Sequence, residues 1–257
     1  MRLKIGNILK NIKMNIWKKS NLNKIIKKKI TYQPFNNSIW KKKILKNVKI
    51  NKADLKKNYT KYFLASSPLP IMLLGMKKKK ISIADYGSGD QEIFFQLTNL
   101  KLKNTKITID STEVPEIKKL LKKIIEKKTK NIKINFYDNF NFKKKYDFVH
   151  ISDSIQYNLD WKNFLLKIAL QKPEFIILNN LTAGNFKTYI AEQKFYKYKL
   201  PYIFFNQKEI TGLLKNYKVH QYLYLNKINN KFQVYPQKNF RKSDRLQYPK
   251  TIIFKKN

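Results

Sequence analysis

Residues 81–90 read Ile-Ser-Ile-Ala-Asp85-Tyr-Gly87-Ser88-Gly89-Asp90, and Glu113 stands twenty-four residues after Gly89. A glycine-rich turn of this kind lets a ligand approach the backbone and meet the N-terminus of the next helix. A carboxylate at the end of the following strand can accept both hydroxyls of a ribose. A Gly-x-Gly alone is a weak signal. Joined to a strand, a helix and an acid at that distance, it points to an adenosine-containing cofactor.

Two cofactor classes compete for such a turn. A dinucleotide fingerprint asks for Gly or Ala three residues after Gly89, and this chain has Glu92, which would face a pyrophosphate unfavourably. Asp85 before the turn and Asp90 after it suit a ligand carrying a sulfonium and an ammonium. S-adenosylmethionine is favoured over NAD(P).

The elements that must position these residues can be read from periodicity. Strands are expected at 81–86, 106–113, 132–137, 146–152 and 174–179, with helices at 91–100, from Pro115, and at 161–169. Strands alternating with helices indicate a parallel sheet wound on both faces. After Asn180 the alternation breaks. Residues 181–206 are aromatic and Lys-rich, too long for an ordinary loop, and read as a lid or substrate wall. A helix at 207–215 and strands at 217–225, 232–235 and 251–254 close the chain. Residues 39–75 read as helical and connecting. Ahead of them, Ile5, Ile8, Leu9, Ile12 and Ile16 share one helical face, with Trp17 beside it. Residues 1–30 hold no acid and form a basic arm, expected to be dispensable for cofactor binding.

The 257 residues carry 56 Lys+Arg against 16 Asp+Glu, a net charge of +40. Such a surface suits a polyanion: nucleic acid or an anionic membrane. Yet only Arg2, Arg241 and Arg245 are arginines, and phosphate clamps favour Arg's planar fork. Lys, Asn, Ile, Tyr and Phe also share A/T-rich codons, so drift explains much of the excess, and any polyanion contact is expected to be non-specific. Against this background the acids are informative. Eleven of the sixteen fall between residues 80 and 160, although helix capping accounts for Asp160 and Glu116. The absence of cysteine excludes disulfides and thiolate chemistry. With only His150 and His220 present, no metal centre is expected. No apolar stretch reaches the ~20 residues of a membrane span. The chain is expected to be soluble and cytoplasmic, with peripheral contact at the inner face of the membrane as a role for the arm.

Asp85-x-Gly87-x-Gly89 resembles the first motif of class I S-adenosylmethionine-dependent methyltransferases. The resemblance implies a Rossmann-like seven-stranded fold. It places Glu113 at the ribose and Asp138, after the third strand, at the adenine amine, with Gly87, Ser88 and Gly89 in the cofactor turn. Residues 147–157 resemble the fourth-strand motif. Ile-Gln-Tyr157, Phe-Ile-Ile-Leu-Asn179, residues 200–206 and the closing 248–254 resemble a family of methyltransferase-like proteins whose genes often lie among O-antigen and other surface-polysaccharide genes. The resemblance covers roughly 36–257. It departs at Gln91, where class I enzymes commonly have a third glycine.

These readings divide the chain into a basic helical extension, 1–75, and a methyltransferase domain, 76–257, with 181–206 as the acceptor wall. The expected reaction moves a methyl group to a small-molecule or glycan-related acceptor. Asp153, just past the fourth strand, is the candidate base or acceptor contact. Tyr157 packs on the cofactor, walls the acceptor pocket or belongs to the core. Thr188, Gln193 and Tyr202 line the wall. An RNA methyltransferase and a non-catalytic basic protein are the alternatives, and a pure polyanion binder has no use for Asp85, Glu113 and Asp138.

Overall fold

The structure is a computed structural model. It describes residues 16–19, 33–56, 67–100, 102, 104–125, 129–196, 198–223, 227–228, 231–232, 237–238, 240–246 and 248–257. Its strands are β1 (Ile16–Lys19), β2 (Lys80–Tyr86), β3 (Lys106–Thr112), β4 (Ile132–Tyr137), β5 (Phe148–Ser152), β6 (Phe175–Leu181), β7 (Ala183–Gly184), β8 (Tyr189–Phe195), β9 (Tyr198–Asn206), β10 (Tyr217–Leu223), β11 (Lys227–Ile228), β12 (Lys231–Phe232), β13 (Gln237–Lys238) and β14 (Lys250–Lys256). Its α-helices are α1 (Ser38–Lys56), α2 (Leu69–Leu74), α3 (Glu92–Asn99), α4 (Pro115–Ile124), α5 (Trp161–Leu170) and α6 (Gln207–Leu213).

Seven strands form one sheet in the order β10-β14-β6-β5-β2-β3-β4. β14 runs antiparallel to both neighbours, and the other pairings are parallel. This is the seven-stranded, mostly parallel, Rossmann-like sheet expected from the sequence. The chain builds outward from β2 to β4, returns to β5 on the other side of β2, and builds outward again. The reversal opens a crevice at the carboxyl ends of β2 and β5, where ligands of such sheets bind.

Period-two alternation divides the core between two layers. Ile81, Ile83, Ile107, Ile109, Phe148 and Ile177 face α1, α2, α3 and α4. Val149, Ile151, Ile176, Leu178, Ile252 and Phe254 face α5 and α6. α4 needs no side-chain cap: Pro115 opens it, where a missing N–H costs nothing.

Residues 181–206, expected as a lid or substrate wall, are largely strand. β8 and β9 form an antiparallel hairpin inside a second sheet, β13-β1-β8-β9-β7. The alternation is invisible in the sequence because both faces of β9 are buried. Ile203 and Phe205 enter the main core, while Tyr202 and Phe204 pack with Trp17, Phe186, Phe240 and Leu246. One expectation is corrected: the end of the arm is not helical. Ile16 and Trp17 belong to β1, which pairs antiparallel with β8 and parallel with β13. The preceding positions of the expected helix, Ile5, Ile8, Leu9 and Ile12, lie outside the described residues. So do 57–66 of the connecting segment, which is otherwise helical at α1 and α2.

Candidate functional site

The turn after β2 takes its shape from three left-handed residues: Gly87 at φ 68°, Gly89 at 54° and Gln91 at 63°. The first two carry no Cβ penalty. A Cβ at Gly87 would also stand 2.4 Å from the Ser154 Cβ, so any side chain there would strain the turn and push Ser154 aside. Gln91 bears the strain instead of the third glycine. Its buried amide donates to the Ser88 and Ser111 hydroxyls, holding the turn against β3.

Glu113 ties that turn to the end of β3. The Gly89 N–H donates to Oε1 at 2.6 Å and the Val114 N–H to Oε2 at 3.1 Å. Burial nevertheless pushes its pKa up to about 7, against the pull of those two donors, with Asp85 and Asp90 adding repulsion. Asp90 is likewise raised by burial, although the Asn47 amide of α1 donates to it at 2.7 Å. Asp138 stands after β4 and pairs with Lys118.

Asp85 is 3% exposed and accepts from His150 Nδ1 at 2.8 Å, and His150 Nε2 lies 3.1 Å from the Ser67 hydroxyl. The sequence placed His150 in the buried strand without giving it a role. Its partnership follows from register, since Asp85 and His150 are neighbours across the parallel β2–β5 pair.

Asp153 follows β5 in a left-handed conformation, φ 48°. Its N–H donates to the Asn179 carbonyl, and its side chain accepts from Gln156 at 3.3 Å. It does not cap the short 3-10 turn at Ile155–Tyr157, whose first position belongs to Ser154. Asp153 opens into the cavity. Its side chain is exposed to the cavity space, and the surrounding walls desolvate it enough to raise its pKa to about 7, with Lys43 the opposing influence. Asp160 precedes α5 without a capping hydrogen bond and accepts instead from Asn163 at 2.7 Å. Glu116 pairs with Lys41 at 3.5 Å.

These residues line one cavity of about 930 Å³. Seven carboxylates face it: Asp85, Asp90, Glu92, Glu113, Asp138, Asp153 and Asp160; Lys43 is the one lysine among its described lining residues. Trp17, Phe35, Trp40, Tyr157, Phe195 and Tyr202 form one cluster of touching rings that makes an aromatic wall of the cavity. The Tyr157 hydroxyl donates to the buried Gln193 at 2.9 Å, and its ring meets Phe35 and Tyr202 edge-on at 5.0 and 5.2 Å. Gln193 and Tyr202 therefore line the cavity, as expected. Thr188 instead donates to Glu209 and accepts from the Asn206 N–H. Trp17, Phe35, Trp40, Lys43 and Asn47 come from before residue 76 and were missed as site residues. Motif spacing carries no signal for them, because they reach the cavity only through tertiary packing. Among the described residues no group of three or more His, Asp or Glu could hold a metal ion. No helix is long and apolar enough to cross a membrane among them.

No family model and no curated protein matches the chain. Solved structures with a similar fold include an S-adenosylmethionine-dependent methyltransferase from Clostridium acetobutylicum, 14% identical, covering 91% of this chain and 96% of that one at a TM-score of 0.39. A candidate S-adenosylmethionine-dependent methyltransferase from Listeria monocytogenes is 8% identical over 80% and 98% of the two chains, with a TM-score of 0.47. The magnesium protoporphyrin IX methyltransferase of Synechocystis with bound S-adenosylmethionine is 10% identical over 80% and 84%, with a TM-score of 0.43. No residue's role rests on these likenesses.

Proposed function

We propose that the chain is an S-adenosylmethionine-dependent methyltransferase acting on a small or glycan-related acceptor. One observation carries this reading. A protein of net charge +40 turns seven of its 16 acids into a single cavity at the carboxyl ends of its central strands. Such a field repels a pyrophosphate and attracts a ligand bearing a sulfonium and an ammonium. The fold alone hosts many chemistries and does not decide the matter.

The residues present fit that cofactor. Glu113 offers its carboxylate to ribose hydroxyls, Asp138 to the adenine amine and Asp85 to the ammonium, while Gly87, Ser88 and Gly89 let the ligand approach the backbone. S-adenosylmethionine supplies, when bound, a methyl group on sulfur that is open to in-line displacement. The remaining work is positioning and proton removal. Asp153, with a pKa near 7, is suited to take the proton of an acceptor hydroxyl near neutral pH. The aromatic wall suits an acceptor with an apolar face, such as a sugar ring. The surface-polysaccharide setting comes from the family resemblance. Titration calorimetry with S-adenosylmethionine and NADH side by side tests the reading. Binding of the first and not the second is expected, and the converse overturns it.

A further inference from the structure

Asp85, placed at the ammonium above, is joined to two further buried polar side chains, His150 and Ser67, that the proposed function leaves without a role. Asp110 and Asp147 provide the comparison. Asp110 accepts from Lys144 at 2.7 Å, as well as from Asn135 and Tyr146. Asp147 accepts from Lys78 at 2.8 Å and from Ser82. Both have lysine partners, and neither lines the large cavity. Asp85 does line it, is as buried as Asp110, and among the described residues pairs with no lysine or arginine. In a chain this rich in lysine, a buried carboxylate facing a cavity without one is set up for a cation that the protein does not supply.

The hydrogen bonds have a direction. The Leu69 N–H donates to Ser67 Oγ at 3.3 Å. The Ser67 hydroxyl is then free to donate to His150 Nε2, and His150 donates through Nδ1 to Asp85 Oδ1. This holds the Asp85 carboxylate in one orientation and leaves Oδ2 as the oxygen a ligand can meet. His150 reaches Asp85 because both side chains share the sheet face that carries Ile83 and Phe148, beneath α2.

We propose that His150 is a positioning residue: clamped by Ser67, it fixes Asp85 to receive the ammonium of the cofactor's amino-acid end. The inference rests on the function proposed above. Its test compares S-adenosylhomocysteine, which has that ammonium, with 5′-methylthioadenosine, which lacks the amino-acid portion. Both dissociation constants are measured by calorimetry for the wild type, His150→Leu and His150→Asn. In His150→Leu, affinity for S-adenosylhomocysteine should fall about tenfold or more while 5′-methylthioadenosine changes less than about twofold. Asn keeps a donor near the position of Nδ1 and should restore most of the loss. If His150→Leu fails to fold, Ser67→Ala, which loosens the clamp from its far end, should shift the same ratio by a smaller factor. Equal weakening of both ligands, or of neither, overturns the proposal. Covalent labelling of Ser67 by a fluorophosphonate would overturn it too, by showing the trio to be a nucleophilic triad. If the wild type binds neither ligand, the cofactor reading itself fails, and the inference falls with it.

Discussion

The Gly89 N–H and the Glu113 carboxylate are joined by a 2.6 Å hydrogen bond between the turn after β2 and the end of β3. One side chain thus shapes the turn and faces the cavity. Glu113→Ala should weaken S-adenosylmethionine binding about tenfold to hundredfold, the worth of hydrogen bonds to a charged group. Unchanged affinity in calorimetry would remove Glu113 from the cofactor site.

The same carboxylate sets a pH dependence in the ligand-free protein. Its pKa is raised from 4.5 to about 7, so between those values the folded state holds a proton that the unfolded state has lost. The contribution is complete below about pH 4.5 and disappears as pH rises through 7, on the order of 1–3 kcal/mol. Denaturation midpoints should fall over that window, and Glu113→Gln should flatten the slope. An equally steep slope in the variant would place the titration elsewhere.

Asp153 is expected to act only when ionised. Single-turnover methyl transfer should therefore rise with pH through about 7. Asp153→Asn should slow it about 10²–10⁴-fold, the usual range for a positioned base, while leaving cofactor affinity within a few-fold. A variant with wild-type rates would reduce Asp153 to a lining residue.

Trp17 tests whether the segment before residue 76 belongs to the acceptor wall. It is 5% exposed and meets Tyr202 edge-on at 5.5 Å. Trp17→Ala should cost about 3–5 kcal/mol of stability and raise the acceptor KM more than the cofactor Kd. An unaltered acceptor KM in a folded variant would show that β1 is scaffold alone.

The outer face of α1 presents Lys42, Lys46 and Lys49 beside exposed Ile39 and Ile50. Binding of mixed-sequence RNA should weaken steeply with salt. Reversing the three lysines to Glu should lower the log–log salt slope by about 0.7–0.9 for each phosphate that is no longer neutralised. A competition assay near physiological salt that reveals one preferred RNA would make RNA the leading acceptor.

Some of this molecule can be read directly from its residues. Gly87, Gly89 and Glu113 are legible because a left-handed turn and a strand-end carboxylate leave local marks at fixed spacing. β2 to β6 are legible because each strand is short, apolar and bounded by a helix or turn. β9 is not, since alternation vanishes where a strand is buried between two cores. Ile16 and Trp17 fit a helical period equally well, and only pairing with β8 makes them a strand. Likewise His150 looks like an ordinary core residue until sheet register sets it beside Asp85, and packing alone brings Trp17, Lys43 and Asn47 to the cavity. Local order and composition are enough to specify the turn, the parallel strands and the concentration of acids between residues 80 and 160. Packing sets which acids share one cavity, that Asp85 among them pairs with no described lysine, and which aromatic rings wall it. Those depend on contacts between residues far apart in the chain, and local periodicity holds no record of them.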